Sequence, residues 1–182
     1  MQLFLCVSRG DHTLITHNRL REVLDYDPLT GVFRWKVSTS RRVHVGDVAG
    51  TKMPGKRGRI YYRVKIDGKF YYLHNLAWFY VNGVWPTKII DHIDGDSNAI
   101  DNLREATYAQ NAFNKNTPKT KKHGFKGVSS SRHQFCARIW LNNANKIIGY
   151  YATPREAAEA YDAEALKHFG EFAMTNAKLG LL

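Results

Sequence analysis

Asp91-His92 stands between two apolar β-branched residues, Ile89-Ile90, and an acidic loop, Ile93-Asp94-Gly95-Asp96. A carboxylate can hold a hard divalent cation through oxygen. An imidazole with a pKa near neutrality can take a proton from water at working pH. Side-chain amides follow at Asn102, Asn111 and Asn114. A short strand that brings a carboxylate and an imidazole to one spot suits phosphodiester hydrolysis, so this stretch reads as a metal-dependent nuclease centre.

The elements that must position it can be read from pattern. Asn18–Leu24 is amphipathic, with Leu20, Val23 and Leu24 on one helix face. Asp25–Gly31 has turn chemistry, Val32–Val37 alternates as a strand, and a short strand is expected near Asp47–Ala49. Asp67-Gly68 predicts a hairpin between Arg59–Ile66 and Lys69–Leu73. On its first strand Ile60, Tyr62, Val64 and Ile66 share one face, and Tyr61, Arg63 and Lys65 share the other. His74–Val81 predicts a short helix. Asn102–Ala106 predicts a strand, and Thr107-Tyr108-Ala109-Gln110 is a capping box that starts a helix bearing Asn111. Further on, Gly127–Ser130, Phe135–Leu141 and Lys146–Tyr151 predict three strands, and the capping box Thr153-Pro154-Arg155-Glu156 starts a helix running to about His168.

The net charge of +11 and pI near 9.7 call for a polyanionic partner. Hydrophobic residues make up 43% of the 182, enough for a packed core. Two cysteines, Cys6 and Cys136, cannot make a cysteine zinc site, so no structural zinc is expected and a reducing compartment fits. Apolar runs are too short to span a membrane. Residues 1–17 are expected to be a tail and residues 116–123 a basic linker.

Residues from about Leu20 to Asn114 resemble an HNH endonuclease of the phage and intron-homing kind. The resemblance is carried by Tyr26–Phe33, His74-Asn75-Leu76-Ala77-Trp78, Asp91–Asp96, Asp101-Asn102-Leu103-Arg104 and Gln110-Asn111. It implies a ββα-metal core holding one divalent ion, Mg²⁺ or a substitute such as Mn²⁺. Asp91 and Asn111 would be metal ligands, His92 the general base, and Asn102 the residue that orients His92. His74 also matches a family histidine, with packing or a phosphate contact as its expected role.

Residues from about Gly124 to Asn176 are similar to the Apetala or ethylene-response-factor DNA-binding domain. The matching pieces are Phe125-Lys126-Gly127-Val128, Ala137-Arg138-Ile139, Ile148–Tyr151, Thr153–Asp162 and His168–Ala173. The resemblance implies a sheet laid in the major groove, with Lys126, Arg132, Arg138 and Trp140 as contacts. Ser129 and Ser131 stand where plant members have base-reading arginines, which points to phosphate contacts with modest base readout.

The expected fold is therefore α+β: a nuclease domain over 18–115, then a three-stranded antiparallel sheet packed on one helix over 124–178. The expected activity is nicking or homing cleavage of double-stranded DNA by a monomer, in the cytoplasm of the host cell if the gene is phage-borne. The alternatives are a DNA-binding regulator with a lapsed nuclease centre, a low-specificity structure- or packaging-linked nuclease, and an RNA-binding module.

Overall fold

Helix α1, His17–Val23, starts where the Thr16 hydroxyl accepts the Arg19 amide, and it buries Leu20 and Val23. The computed structural model describes residues 14–55, 60–113, 124–141 and 144–182. These fall into two compact units that divide between Thr107 and Tyr108. No described helix is long and apolar enough to cross a membrane.

In the first unit, β1 (Leu24–Asp27) pairs antiparallel with β2 (Val32–Trp35). The turn expected over Asp25–Gly31 is therefore shorter, and its first residues are strand. Tyr26 and Phe33 sit opposite each other with ring centroids 4.5 Å apart, and this buried cross-strand pair outweighs the turn preference of the flanking aspartates. The strand expected near Asp47–Ala49 is a single bridge, Arg34 to Val48. β3 (Thr51–Pro54), unforeseen, joins β4 (Ile60–Ile66) and β5 (Lys69–Tyr72) in an antiparallel sheet of order β3-β4-β5. Asp67 and Gly68, with φ of 47° and 81°, make the tight turn between β4 and β5.

Helix α2 (Leu73–Asn82) buries Leu73, Leu76, Ala77 and Phe79 and ends at Gly83 in the left-handed region. It packs against β4, β5 and β6 (Ile89–His92). β6 pairs with β7 (Leu103–Ala106), a 3₁₀ turn over Ile100–Asn102 preceding β7. One core joins α1, α2 and the strands through Leu20, Leu24, Phe33, Val64, Leu76 and Ile90. Ile15 is buried in it too, so the expected tail is anchored at its C-terminal end. The rest of that tail, 1–13, lies outside the described residues, as does the expected linker 116–123.

The second unit opens with the short helix α3 (Tyr108–Phe113). Strands β8 (Val128–Ser131), β9 (Gln134–Leu141) and β10 (Ala144–Tyr151) form an antiparallel sheet of order β10-β9-β8. Helix α4 (Pro154–Phe169) packs on it, starting at the Thr153 capping box with both reciprocal bonds made. Its alanines Ala157, Ala158 and Ala165 are buried against Val128, Ala137 and Ile139. Asn176, fully buried, closes the unit. Its carboxamide accepts from the Lys126 amide and donates to the Lys126 carbonyl and to Asp162.

Candidate active site

β6 ends on Asp91-His92, and the register sets Asp91 opposite Arg104 and His92 opposite Leu103. Successive residues of a strand face opposite ways. Asp91 accordingly points inward at 4% exposure, while His92 is half-buried on the other face. The Arg104 guanidinium meets the Asp91 carboxylate from the neighbouring strand, its Nη2 at 3.1 Å and its Nε at 3.3 Å from Oδ2. Both side chains are shielded from water, so the pair fixes the carboxylate and offsets its buried charge.

His92 Nε2 lies 3.1 Å from Asn98 Oδ1. A carboxamide oxygen can only accept, so Nε2 carries the proton, and Nδ1 is the basic nitrogen of the neutral ring. The carboxamide of Asn102 does something different from what was expected. It accepts from the Asp94 amide and donates to the Asp94 and Ser97 carbonyls. Asn102 thus ties the loop shut from the start of the 3₁₀ turn's exit, and the residue bonded to His92 is Asn98, four positions earlier. The reason is local: the loop folds back on itself, so its middle, not its end, comes under the imidazole.

The loop's middle is held from outside. Tyr26 Oη donates to the Asn98 carbonyl at 2.7 Å, and the Ile100 amide donates to the Pro28 carbonyl at 3.0 Å. Burial pushes the Tyr26 phenol up to about 12, with Asp27 and Asp101 adding to it, so the hydroxyl stays a donor. Gly31 lies against the same backbone with φ of 74°. A Cβ there would come within 2.2 Å of the Ala99 nitrogen and 2.3 Å of the Asn98 carbonyl carbon. The turn between β1 and β2 therefore clamps the loop that carries Asn98. Asn98, Arg104, Tyr26 and Gly31 were not singled out as site residues in the sequence. Tyr26 and Gly31 lie in the Tyr-Asp-Pro-Leu-Thr-Gly stretch and Arg104 in Asp101-Asn102-Leu103-Arg104, but neither stretch says what it touches.

His74, at the head of α2, stacks on Tyr72 with centroids 5.4 Å apart and meets the edge of the His92 ring at 5.5 Å. Burial pushes its imidazole down to about 3, and the neighbouring His92 adds to that, so it is neutral at working pH. Asp94 and Asp96 are exposed in the loop.

Asn111 belongs to the second unit, on α3. Its Oδ1 is buried with no hydrogen-bond partner. An unsatisfied buried carbonyl oxygen is costly and invites a ligand. Carboxylate and carboxamide oxygens are each hard donors of the kind that suit Mg²⁺; Asp91 lies in the first unit and Asn111 in the second. Among the described residues no group of three or more histidine, cysteine, aspartate or glutamate side chains could hold a metal.

The candidate DNA contacts of the second unit divide. Arg138 and Trp140 project from β9 away from α4, and Trp140 is 56% exposed. Arg132 is exposed in the β8–β9 turn with φ of 52°. Lys126, by contrast, turns inward: its ammonium donates to the Met174 carbonyl at 2.9 Å, a bond that closes the unit. Ile147 and Tyr150 are exposed on β10 beside Arg138 and Trp140, and the Ser129 hydroxyl on β8 is buried without a partner.

Residues 71–113 match the family model described as HNH endonuclease. The chain carries an HNH endonuclease domain. That stretch contains Asp91, His92, Asn98, Asn102 and Arg104 and reaches Asn111. The chain is 36% identical over 126 residues to an uncharacterised HNH endonuclease of Acanthamoeba polyphaga mimivirus, across 67% of this chain and 64% of that one. It is 42% identical over 64 residues to Protein 3.8 of Escherichia phage T7, across 34% of this chain and 53% of that one. The chain thus spans under two-thirds of the length of either relative.

Proposed function

We propose that the protein is a metal-dependent DNA endonuclease of the nicking or homing type, with His92 as its general base. The observation that carries this is the bond from His92 Nε2 to Asn98 Oδ1, made within the HNH domain by the residue that follows Asp91 at the end of β6. Asn98 fixes both the tautomer and the plane of the ring, so that Nδ1 can take the proton of an attacking water. Asn102 acts at one remove, by holding the loop that presents Asn98. Asp91 is the carboxylate ligand of the cation, held in place by Arg104. Asn111 is the second ligand in this reading, supported by its unpartnered buried oxygen. When bound, the cation supplies positive charge to the phosphate and the leaving oxygen.

The second unit is, in this proposal, a DNA-binding module of the Apetala kind that uses the open face of its sheet. Arg138 and Trp140, with Ile147 and Tyr150 beside them, give that face cationic and aromatic character. Lys126 is not among its contacts, since it serves the fold.

Plasmid nicking tests the reading. Purified protein with Mg²⁺ should relax supercoiled plasmid, leaving 5′-phosphate and 3′-hydroxyl ends, and chelator should abolish the reaction. Duplex binding without cleavage in Mg²⁺ or Mn²⁺ would turn the reading over to a DNA-binding regulator whose Asp91 stays locked on Arg104.

A further inference from the structure

The sheet β3-β4-β5 has two unlike faces. Val64, Ile66 and Tyr71 go into the core. The register puts Thr51 opposite Arg63, Arg63 opposite Tyr72, and Lys65 opposite Phe70. Residues that pair directly, or lie two apart on one strand, share a face. The outer face is therefore Thr51, Met53, Tyr61, Arg63, Lys65, Phe70 and Tyr72, and no acid stands on it. Among the described residues neither Arg63 nor Lys65 makes an ion pair with a carboxylate.

A merely solvated face would explain two cations. It does not explain Phe70, 45% exposed between them, with the Arg63 guanidinium 4.1 Å and the Lys65 ammonium 5.6 Å from its ring centroid. Both charges are thereby held over the sheet instead of spreading into water. Nor does it explain the aromatic run that leaves the same face. Tyr61 meets Tyr72 at 6.0 Å, Tyr72 stacks on His74, and His74 abuts His92. The face leads straight to the imidazole. Two residues along a strand span roughly 7 Å, about the axial rise of two nucleotides on one DNA strand.

We propose that this face, through Arg63, Lys65 and Phe70, is a DNA-binding surface of the first unit that holds the backbone flanking the phosphate presented to His92. It rests on the nuclease reading for the choice of DNA as partner, and it adds a contact surface separate from the sheet of the second unit. The cations neutralise two phosphates of one strand, and the aromatic side chains lie under the sugar and base edges.

The test is equilibrium binding of a fluorescent duplex by the full chain, in chelator, across a salt series. Arg63→Gln/Lys65→Gln is compared with Arg155→Gln/Lys167→Gln, which removes two exposed cations from α4. Each lost phosphate contact flattens the log–log salt dependence by about 0.9. The first variant should flatten it by about two and weaken binding about tenfold or more near 0.1 M salt; the control should barely change it. Circular dichroism checks the fold, and the single exposed change Lys65→Gln, worth about 0.9, replaces the double variant if that fails to fold. Equal slopes for the two double variants, or a wild type that binds no duplex, overturn the proposal. Cleavage is scored separately in Mg²⁺. A wild type that binds but never cuts sinks the nuclease reading and leaves this surface standing, while a cutting enzyme with an unchanged slope in the variant does the reverse.

Discussion

Gly31→Ala puts the clamp on the His92 loop to a direct test. The substitution carries two separable costs. An L-residue at φ of 74° loses about 1–2 kcal/mol to left-handed strain. The new methyl would also sit 2.2 Å from the Ala99 nitrogen, 2.3 Å from the Asn98 carbonyl carbon and 2.9 Å from the Asn98 Cα. All three are backbone atoms, so a side-chain rotation cannot relieve the clash and the loop itself must shift. Overpacking of this kind costs about 1–3 kcal/mol more. Gly83→Ala is the matched control: its φ is 71°, yet a Cβ there meets nothing within 4 Å. Thermal unfolding should place Gly31→Ala lower than Gly83→Ala by about 4–8 °C for each extra kcal/mol in a unit of this size. The functional consequence follows from geometry. A loop displaced by about 1 Å moves Asn98 off His92 Nε2, and misplacement on that scale lowers turnover by about 10²-fold. Gly83→Ala should cut DNA as the wild type does. Equal melting temperatures and equal cleavage rates for the two variants would refute the clamp.

Other perturbations separate the remaining interactions. Asn98→Ala should lower single-turnover cleavage about 10- to 100-fold, the range for losing a group that orients a working histidine, without changing duplex affinity; ¹⁵N spectra of the His92 ring should show loss of the Nε2–H tautomer, and retention of that tautomer would count against Asn98. Arg104→Leu leaves Asp91 buried without its cation and should cost about 3–5 kcal/mol. Mg²⁺ should raise the melting temperature of that variant more than that of the wild type, and no difference would argue against a cation at Asp91. For His74, the folded pKa is depressed to about 3 from an ordinary 6.5, so the unfolded chain binds the extra proton. The resulting destabilisation is absent above pH 6.5 and grows by about 1.4 kcal/mol per unit as pH falls toward 3. His74→Gln should flatten the stability profile between pH 6 and 4, and an unchanged profile would show that His74 titrates normally. Asn176→Ala strands the Lys126 amide and part of Asp162 and should destabilise the second unit by about 2–4 kcal/mol, seen in Trp140 fluorescence.

Some of this was readable in the residues and some depended on the fold. Ile89-Ile90-Asp91-His92 reads correctly as a strand because a β-branched run entering an acidic loop has few other solutions. Asp67-Gly68 reads correctly because both positions need positive φ. The Thr153 capping box specifies both of its own bonds. β1 was missed because Asp25 and Asp27 carry turn signals, and only the distant Phe33 tells Tyr26 to extend. Which carboxamide reaches His92 could not be decided from spacing. Asn98 and Asn102 lie in the same loop, and the choice is made by the β1–β2 turn, some seventy residues earlier, pressing on the Asn98 backbone. The Asp91–Arg104 pair needs the β6–β7 register, and the inward turn of Lys126 needs Met174 beside it. In each case the missing information was a contact between residues far apart in the chain.

The most direct measurement is the single-turnover cleavage rate of His92→Ala against wild type, with duplex bound to saturation in Mg²⁺. If His92 takes the proton of the attacking water, the variant should bind as tightly and cut about 10²- to 10⁴-fold more slowly. A variant that cuts at the wild-type rate would contradict the assignment of the base and, with it, the role given to Asn98 and the clamp behind it.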